Sequence, residues 1–542
     1  MKKLLWLLFL TLYVLPFQAQ NTNKTKLVVG IVVDQMRFDY LTKFQKHYSE
    51  DGFKRLKREG FEMKNFHFDY VPTYTGPGHA SVFTGTSPMN HGIVANNWYD
   101  KFLKESVYCA SDYSVTPLGL DKDNSDGKMS PHRMLTTSFA DQNRLHTQFK
   151  GKTIGVSIKD RGAILPAGHT ANAAYWFYGG DLGHFISSDF YMKALPKWVE
   201  KFNKSNVAKN YLKTWDTYAD IDSYIESGED ENNYEFGFKG KTKATFPYEL
   251  KKLSDENSGF NILKSTPYGN DLLLDFAKTA IEQETLGQDE YTDVLTLSFS
   301  STDYVGHNFG VNSKEIQDTY IRLDQNIADL LTFLDEKVGK GEYTLFLTAD
   351  HGAVHVPQFL KDQKIPAGYF EVEQMQNALN EHLINSGLGN DLIEKIQNHQ
   401  IFLNYDKFNS HQDFVNIQNE IKHFLLQYEQ IDRVFTRNML ENTNYSYGVG
   451  ELIQRGFHQK RSGDIAYVLE TSHITYPHKG STHGSGNSYD TQAPMLFFGN
   501  GIEQGKSYKK YHIPDIAPTV SALLGIELPN GATGTVISEV LK

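Results

Sequence analysis

The stretch "KLVVGIVVDQMR", Lys26 to Arg37, is an unbroken β-branched run that stops at an aspartate. Such a run has no polar face to turn to water, so it must be a strand covered on both sides, deep in a parallel sheet. The pattern returns in "DVLTLSFSSTDYVGH", Asp293 to His307, in "EYTLFLTADHG", Glu342 to Gly352, and in "APMLFFGNGI", Ala493 to Ile502. Between the second and third of these strands, "SKEIQDTYIRLDQNIADLLTFLDEKVG" spaces its apolar residues by three and four, as a helix does. "IPDIAPTVSALLGIELP" is a second helical pattern, closed by Gly525. Strands alternating with helices predict an α/β fold with a mostly parallel central sheet flanked by helices.

Sites in such sheets collect at the carboxyl ends of strands. Asp34, Asp303 and the Asp350-His351 pair all fall there. Two segments, 166–270 and 356–468, break the strand–helix rhythm and read as insertions capping the core at that face. The core then comprises 21–165, 271–355 and 469–542. Within the second insertion, Glu371 to Leu388 has a helical pattern.

Lys2 and Lys3, an apolar run from Leu4 to Phe17 and a small polar "QAQ" form the three-part pattern of a secretory signal peptide, residues 1–20. The run is shorter than the ~20 residues a membrane span needs. With no cysteine there and no second long apolar stretch, the expected product is exported, periplasmic or secreted, with no stable membrane anchor. The single cysteine, Cys109, excludes an intrachain disulfide and reads as a small buried hydrophobe. A net charge of −11 without a dense Lys/Arg run excludes nucleic acid as the main partner. Oligomeric state is not set by the sequence.

"YTGPGHASVFTG", Tyr74 to Gly85, places Thr75 where a helix N-cap would sit, with Pro77 in the first turn. A helix N-terminus also suits an anion, because its N–H groups are free and its dipole is positive there. Asp303 and His307 are four apart and share one face of a helical turn. Asp350 and His351 are neighbours at a strand end, and His483 lies among glycines in "GSTHGSGN". Asp and His together suit divalent metals. "DKDNSDGK", Asp121 to Lys128, lacks the glycine and glutamate of a calcium loop and reads as a solvated turn.

Taken in order, strand–Asp34, Thr75 at a helix start, Asp303 with His307, Asp350-His351-Gly352 and Thr482-His483-Gly484 resemble the alkaline phosphatase superfamily. The branch they resemble holds the nucleotide pyrophosphatase/phosphodiesterases and the phosphate-irrepressible alkaline phosphatases. The resemblance implies two zinc ions, one on Asp303, His307 and His483, the other on Asp34, Asp350, His351 and the Thr75 oxygen. It implies Thr75 as nucleophile, forming a phosphothreonine. In "SIKDRGA", Lys159 and Arg161 lie two apart, on the same side if the segment is extended. The resemblance makes them, with Asn96, the groups that contact the phosphate, although Asn97 stands beside Asn96. A monoester dianion needs such added cations more than a diester does. The expected function is an exported zinc-dependent alkaline phosphatase acting on small-molecule phosphate monoesters. The alternatives are a phosphodiesterase on the same core, favoured if Lys159 and Arg161 point away from Thr75, and a non-catalytic binding protein, disfavoured by the complete ligand set. Sulfatase chemistry lacks both the residue to oxidise and the arginine after Pro77. His79 reads as support or core, and His91 as structural.

Overall fold

The structure is a computed structural model that describes residues 24–542; the expected signal peptide lies outside them. A ten-stranded sheet runs through the core. Its centre is parallel: Tyr343–Thr348, Leu27–Val33, Asp293–Phe299, Thr153–Ser157 and Ala173–Tyr178 lie side by side. Met495–Gly499 joins one flank and His184–Ser188 the other, both antiparallel. Every residue of Leu27–Val33 is buried, as an unbroken apolar run requires. Helices Pro267–Gln283, Lys314–Leu334 and Ile516–Leu524 lie among those that flank the sheet.

Register explains why the acids meet. Val33 is level with Phe299, and Val32 with Thr348. The chain therefore leaves three adjacent strands at one height, and Asp34, Asp303 and Asp350 all follow within a few residues.

The two irregular segments differ. Segment 166–270 contributes Ala173–Tyr178 and His184–Ser188 to the central sheet, so the sheet runs past residue 165. Most of segment 356–468 builds around its own four-stranded sheet, in the order Ile393–Gln397, Gln400–Leu403, Ile465–Leu469, Ile431–Thr436. Helices Val372–Asn385 and His411–Leu425 supply Met375, Leu379, Ile417 and Ile421 to a separate apolar core there. This unit meets the main body at the Asn97–Asp100 strand. Tyr99 donates to Glu394 (2.9 Å), and Lys101 pairs with the buried Asp464 (2.7 Å).

Candidate active site

Thr75 is the first residue of the Thr75–Thr84 helix; Tyr74 is the cap, and the threonine hydroxyl makes no capping bond. The expected cap is thus displaced by one residue, which leaves Oγ1 available to other partners. Those partners are cationic: Lys159 Nζ at 3.4 Å and Arg161 NH2 at 3.5 Å. The helix N-terminus adds its own free N–H groups and positive dipole end. Gly76 N donates to Asn96 Oδ1 (2.7 Å), which fixes the Asn96 amide beside Thr75. Asn97 is exposed, and its backbone carbonyl accepts from Asn398 Nδ2 (2.7 Å). Gly78 has no room for a side chain: a Cβ there would lie 2.7 Å from Asp350 Cβ. That close approach brings the helix against the Asp350 strand end.

The carboxylates and imidazoles converge as the sequence orders them. Asp303 and His307 sit one turn apart on the Ser301–Phe309 helix, with His307 Nε2 3.2 Å from Asp303 Oδ1. Asp303, His307 and His483 form one group able to hold a metal ion. The second such group is Asp34, Asp303 and His351, so Asp303 stands between the two. Asp350 joins that side, 3.5 Å from His351 Nε2. The His351 and His483 rings stack, centroids 3.4 Å apart.

The charge state of this cluster follows from burial and proximity. Burial, Asp303 and Asp350 push the Asp34 carboxyl well above its ordinary range. Burial opposes ionisation of Asp303 too, but His307 and Lys159 hold it well below that range. Burial lowers His351, and burial with His351 and His307 lowers His483 further, so both rings stay neutral with a lone pair to give. Asp34 Oδ1, Asp350 Oδ2 and His351 Nε2 are buried without a hydrogen-bond partner, and Asp34 Oδ2 has only its ion pair with Lys159. Unsatisfied polar atoms of this kind are costly unless something coordinates them. Buried oxygen and nitrogen donors, unpartnered and converging, fit divalent metal ions.

Lys159 and Arg161 reach Thr75 from a strand-to-helix turn, not from the extended segment their spacing suggests. Lys159 caps the Asp160–Ala167 helix in extended conformation, and Arg161 is in its first turn. Lys159 Nζ also pairs with Asp34 (2.7 Å) and Asp303 (2.5 Å), and these two carboxylates keep it charged despite burial. Arg161 is held by Tyr108, whose hydroxyl accepts from NH1 (3.0 Å) and donates to Asp160.

Several contributors carry no signal in the sequence. Gln35, at φ 63°, uses its backbone N–H on Asp350 (3.0 Å) and its side chain on Asp303 (3.0 Å). The carbonyls of Ser481 and Thr73 fix His307 and His483 through their Nδ1 atoms, at 2.7 Å each. These bonds leave Nε2 of each ring for a ligand. Asp490 accepts from Gly484 N and Ser485 N, and so holds the loop that carries His483. Tyr108 belongs with this group; only its place next to Cys109 would have drawn notice. His79 is wholly buried between Thr75 O (2.9 Å) and Ser298 Oγ (2.8 Å), and His91 bonds Ser81 (2.9 Å), both as supports. Cys109 is buried, its thiol pushed up to about 12 by that burial.

Comparison with known proteins gives the family and the fold. The model of a family described as type I phosphodiesterase / nucleotide pyrophosphatase matches residues 28–491. A Myroides odoratus protein named calcium-transporting ATPase is 46% identical, over 97% of this chain and 96% of its own. Alkaline phosphatase PafA of Elizabethkingia meningoseptica is 43% identical, over 96% of each. The crystal structure of wild-type PafA superposes with a TM-score of 0.92, at 42% identity over 96% of this chain and 99% of its own. A PafA variant substituted at one threonine, one asparagine, one lysine and one arginine gives 0.91, also at 42% identity over 96% and 99%. No helix among the described residues is long and apolar enough to cross a membrane.

Proposed function

This chain belongs to the type I phosphodiesterase / nucleotide pyrophosphatase family, and from that premise we propose that it is an exported, zinc-dependent alkaline phosphatase. It hydrolyses small-molecule phosphate monoesters through a phosphothreonine on Thr75 and releases inorganic phosphate. The observation that carries this reading is the pair of cations on Thr75 Oγ1, Lys159 at 3.4 Å and Arg161 at 3.5 Å. A diester presents one charge and a second organic group; a monoester dianion presents two charges and three free oxygens. Two cations beside the attacking oxygen, Lys159 buried and Arg161 half-buried, match the dianion.

Two relatives bear different names, an alkaline phosphatase and an ion-transporting ATPase, and both names describe breaking a bond to phosphorus. The substituted PafA variant supports the residue roles. Its threonine and asparagine are 21 apart, as are Thr75 and Asn96, and its lysine and arginine are two apart, as are Lys159 and Arg161.

In the proposed mechanism, Asp303, His307 and His483 would hold one zinc, and Asp34, Asp350, His351 and Thr75 the other. Bound there, such ions would supply a lowered pKa for a coordinated hydroxyl and charge neutralisation at the reacting oxygens. Lys159 and Arg161 bind the non-bridging oxygens, with the Asn96 amide beside them, and orient phosphorus in line with Thr75 Oγ1. Thr75 Oγ1 forms the bond to phosphorus as the bond to the alcohol oxygen breaks, and the alcohol leaves with a proton. Water then adds to the phosphothreonine, the Thr75–phosphorus bond breaks and phosphate departs. His79 holds the first helical turn in place through Nδ1 on Thr75 O (2.9 Å) and Nε2 on Ser298 Oγ (2.8 Å), with Asp350 Oδ2 3.3 Å from Nδ1.

The test compares kcat/KM for an aryl phosphate monoester and the matching diester, in wild type and in Lys159→Ala/Arg161→Ala. Wild type preferring the monoester, with that activity chiefly lost in the double variant, supports the phosphatase. Preference for the diester, or equal loss of both, moves the reading to a phosphodiesterase.

A further inference from the structure

A cavity of about 280 Å³ lies where the four-stranded unit meets the catalytic core. The core supplies Tyr74, which precedes Thr75, and His483. His483 Nε2 is 3.7 Å from Asp303 Oδ1, and the Tyr74 and His483 rings meet edge to face, centroids 5.6 Å apart. The four-stranded unit supplies Tyr467 and a hairpin tip, Asn398 and His399, between strands Ile393–Gln397 and Gln400–Leu403. Both tip residues are left-handed, at φ 56°, as a two-residue hairpin turn demands. Asn398 Nδ2 ties the tip to the core through Asn97 O (2.7 Å), and the His399 ring packs on Tyr467 at 5.2 Å.

Among the described residues no lysine or arginine lines this cavity, so it is not a second phosphate site. Its walls nevertheless hold two buried polar atoms with no hydrogen-bond partner among the described residues: Tyr467 Oη and Asp490 Oδ1. Tyr467 is 2% exposed and Asp490 1%. Asp490 commits its other oxygen to Gly484 N (3.1 Å), Ser485 N (2.8 Å) and Ser485 Oγ (2.7 Å). Burial, then the nearby Tyr74 phenol, raises the Tyr467 hydroxyl, which therefore stays protonated and able to donate. Burial pushes Asp490 up to about 7, so near neutral pH it accepts as a carboxylate or donates as an acid, and either form bonds a hydroxyl. Buried polar atoms left unpaired are costly, and a ligand that pairs them recovers that cost. The volume is at the lower edge of the roughly 300–1,000 Å³ of small-molecule sites, enough for one small ring. An uncharged, hydroxyl-bearing ring meets all three conditions.

In the proposed mechanism Thr75 stands with Asp34, Asp350 and His351. In-line displacement then carries the alcohol oxygen to the side of Asp303, His307 and His483, and His483 lines the cavity. We infer that this cavity holds the alcohol portion of the substrate, a polyhydroxylated ring of the sugar class, with Tyr467 and Asp490 reading its hydroxyls. The inference rests on the phosphatase reading and names the monoesters that suit it. A hydrocarbon ring of the same size would fill the space and leave Tyr467 Oη and Asp490 Oδ1 unpaired, whereas sugar hydroxyls pair both. The four-stranded unit, which gives no ligand to the Thr75 centre, thereby sets which alcohol is accepted.

The experiment measures kcat/KM for glucose 6-phosphate and cyclohexylmethyl phosphate in the full-length protein as purified with its own metals. Both are esters of primary alcohols on six-membered rings, and they differ chiefly in hydroxyls. Wild type is compared with Tyr467→Phe, and inhibition by inorganic phosphate, which has no alcohol portion, is read alongside. Wild type should prefer glucose 6-phosphate by about tenfold or more, and Tyr467→Phe should cut that preference by about threefold or more. The phosphate inhibition constant should hold, which a general loosening of the Thr75 centre would not allow. Equal kcat/KM for the two esters in wild type overturns the assignment, as does a preference that survives Tyr467→Phe undiminished. The wild-type comparison needs no variant, so it decides even if Tyr467→Phe does not fold. Turnover of neither ester, with a diester hydrolysed, overturns the phosphatase reading and this assignment with it. Equal turnover of both leaves that reading standing and overturns the assignment alone.

Discussion

Replacing Tyr108 by phenylalanine removes one oxygen and tests how Arg161 is aimed. That oxygen accepts from Arg161 NH1 at 3.0 Å and donates to Asp160, while the Tyr108 ring lies 6.0 Å from the guanidinium carbon. Tyr108 and Asp160 keep Arg161 charged in spite of its burial. Arg161 Nε is already buried without a partner, so the guanidinium has little holding it besides the phenol. Hydrogen bonds to charged groups contribute about 1.5–3 kcal/mol. At about 1.4 kcal/mol per factor of ten, the expected fall in kcat/KM for a phosphate monoester is roughly 10- to 150-fold. Because the ring remains, Tm should change little. The assay pairs monoester and diester kcat/KM with the inhibition constant of inorganic phosphate. Selective loss on the monoester, with weaker phosphate inhibition to match, identifies Tyr108 as the positioning residue for Arg161. Equal losses on both substrates, or unchanged phosphate inhibition, would refute the reasoning.

Gly78→Ala forces a Cβ to within 2.7 Å of Asp350 Cβ, an overpacking that costs about 1–3 kcal/mol and displaces Thr75 from the strand end; both Tm and kcat/KM should fall, the latter by about tenfold or more, and retention of full activity would place the helix wrongly. Chelation should abolish turnover, and zinc should restore it better than magnesium, because the donor set mixes imidazole with carboxylate; equal restoration by magnesium would contradict that donor argument. Burial first, then the Arg461 charge, lowers His91 from 6.5 to about 3. The unfolded chain therefore binds the extra proton between those values, and stability is lost as pH falls through that window. His91→Gln, which does not titrate, should show a shallower acid-side decline in Tm, and an identical pH profile would remove His91 from the account.

Much of the fold was legible because covered parallel strands leave a plain mark: an apolar run with no polar face, cut off by an acid. Leu27–Val33, Asp293–Phe299 and Tyr343–Thr348 all form as expected, and Asp34, Asp303 and Asp350 follow their ends. The Asp303–His307 pair was legible through helical spacing alone. What sequence spacing could not give is contact between distant segments. Tyr108 reaches Arg161 across 53 positions, and Gln35 reaches Asp303 across 268. Asn96 and Asn97 look alike in sequence and separate only once Gly76 donates to one of them. Lys159 and Arg161 illustrate a subtler limit. Their side-by-side placement was drawn from an extended segment, yet a helix begins at Asp160 and both side chains still meet at Thr75. The edge of the sheet was missed because Ala173–Tyr178 and His184–Ser188 lie in a stretch whose Tyr and Trp content disguises them as irregular.

The charges around Thr75 explain why an acidic centre can take a dianion at all. Asp34, Asp303 and Asp350 face Lys159 and Arg161, and the buried imidazoles of His351 and His483 are driven toward neutrality. With Asp34 driven toward its neutral form, Asp303 and Asp350 offset Lys159 and Arg161, and the protein alone offers a phosphate dianion no net attraction. Lys159 is moreover drawn to Asp34 and Asp303, which compete with phosphate for its ammonium. Two divalent ions on the same ligands would make the local charge positive and would also relieve Lys159 of its carboxylates. On this reasoning metal and phosphate bind with strong positive coupling, and Lys159 contributes to phosphate affinity only when the ligands are loaded. Calorimetry should then find phosphate binding in the metal-replete protein, none after chelation, and a Lys159→Ala penalty confined to the replete form. Phosphate bound equally well by the chelated protein would show that the side-chain cations suffice, and would undo the argument from charge.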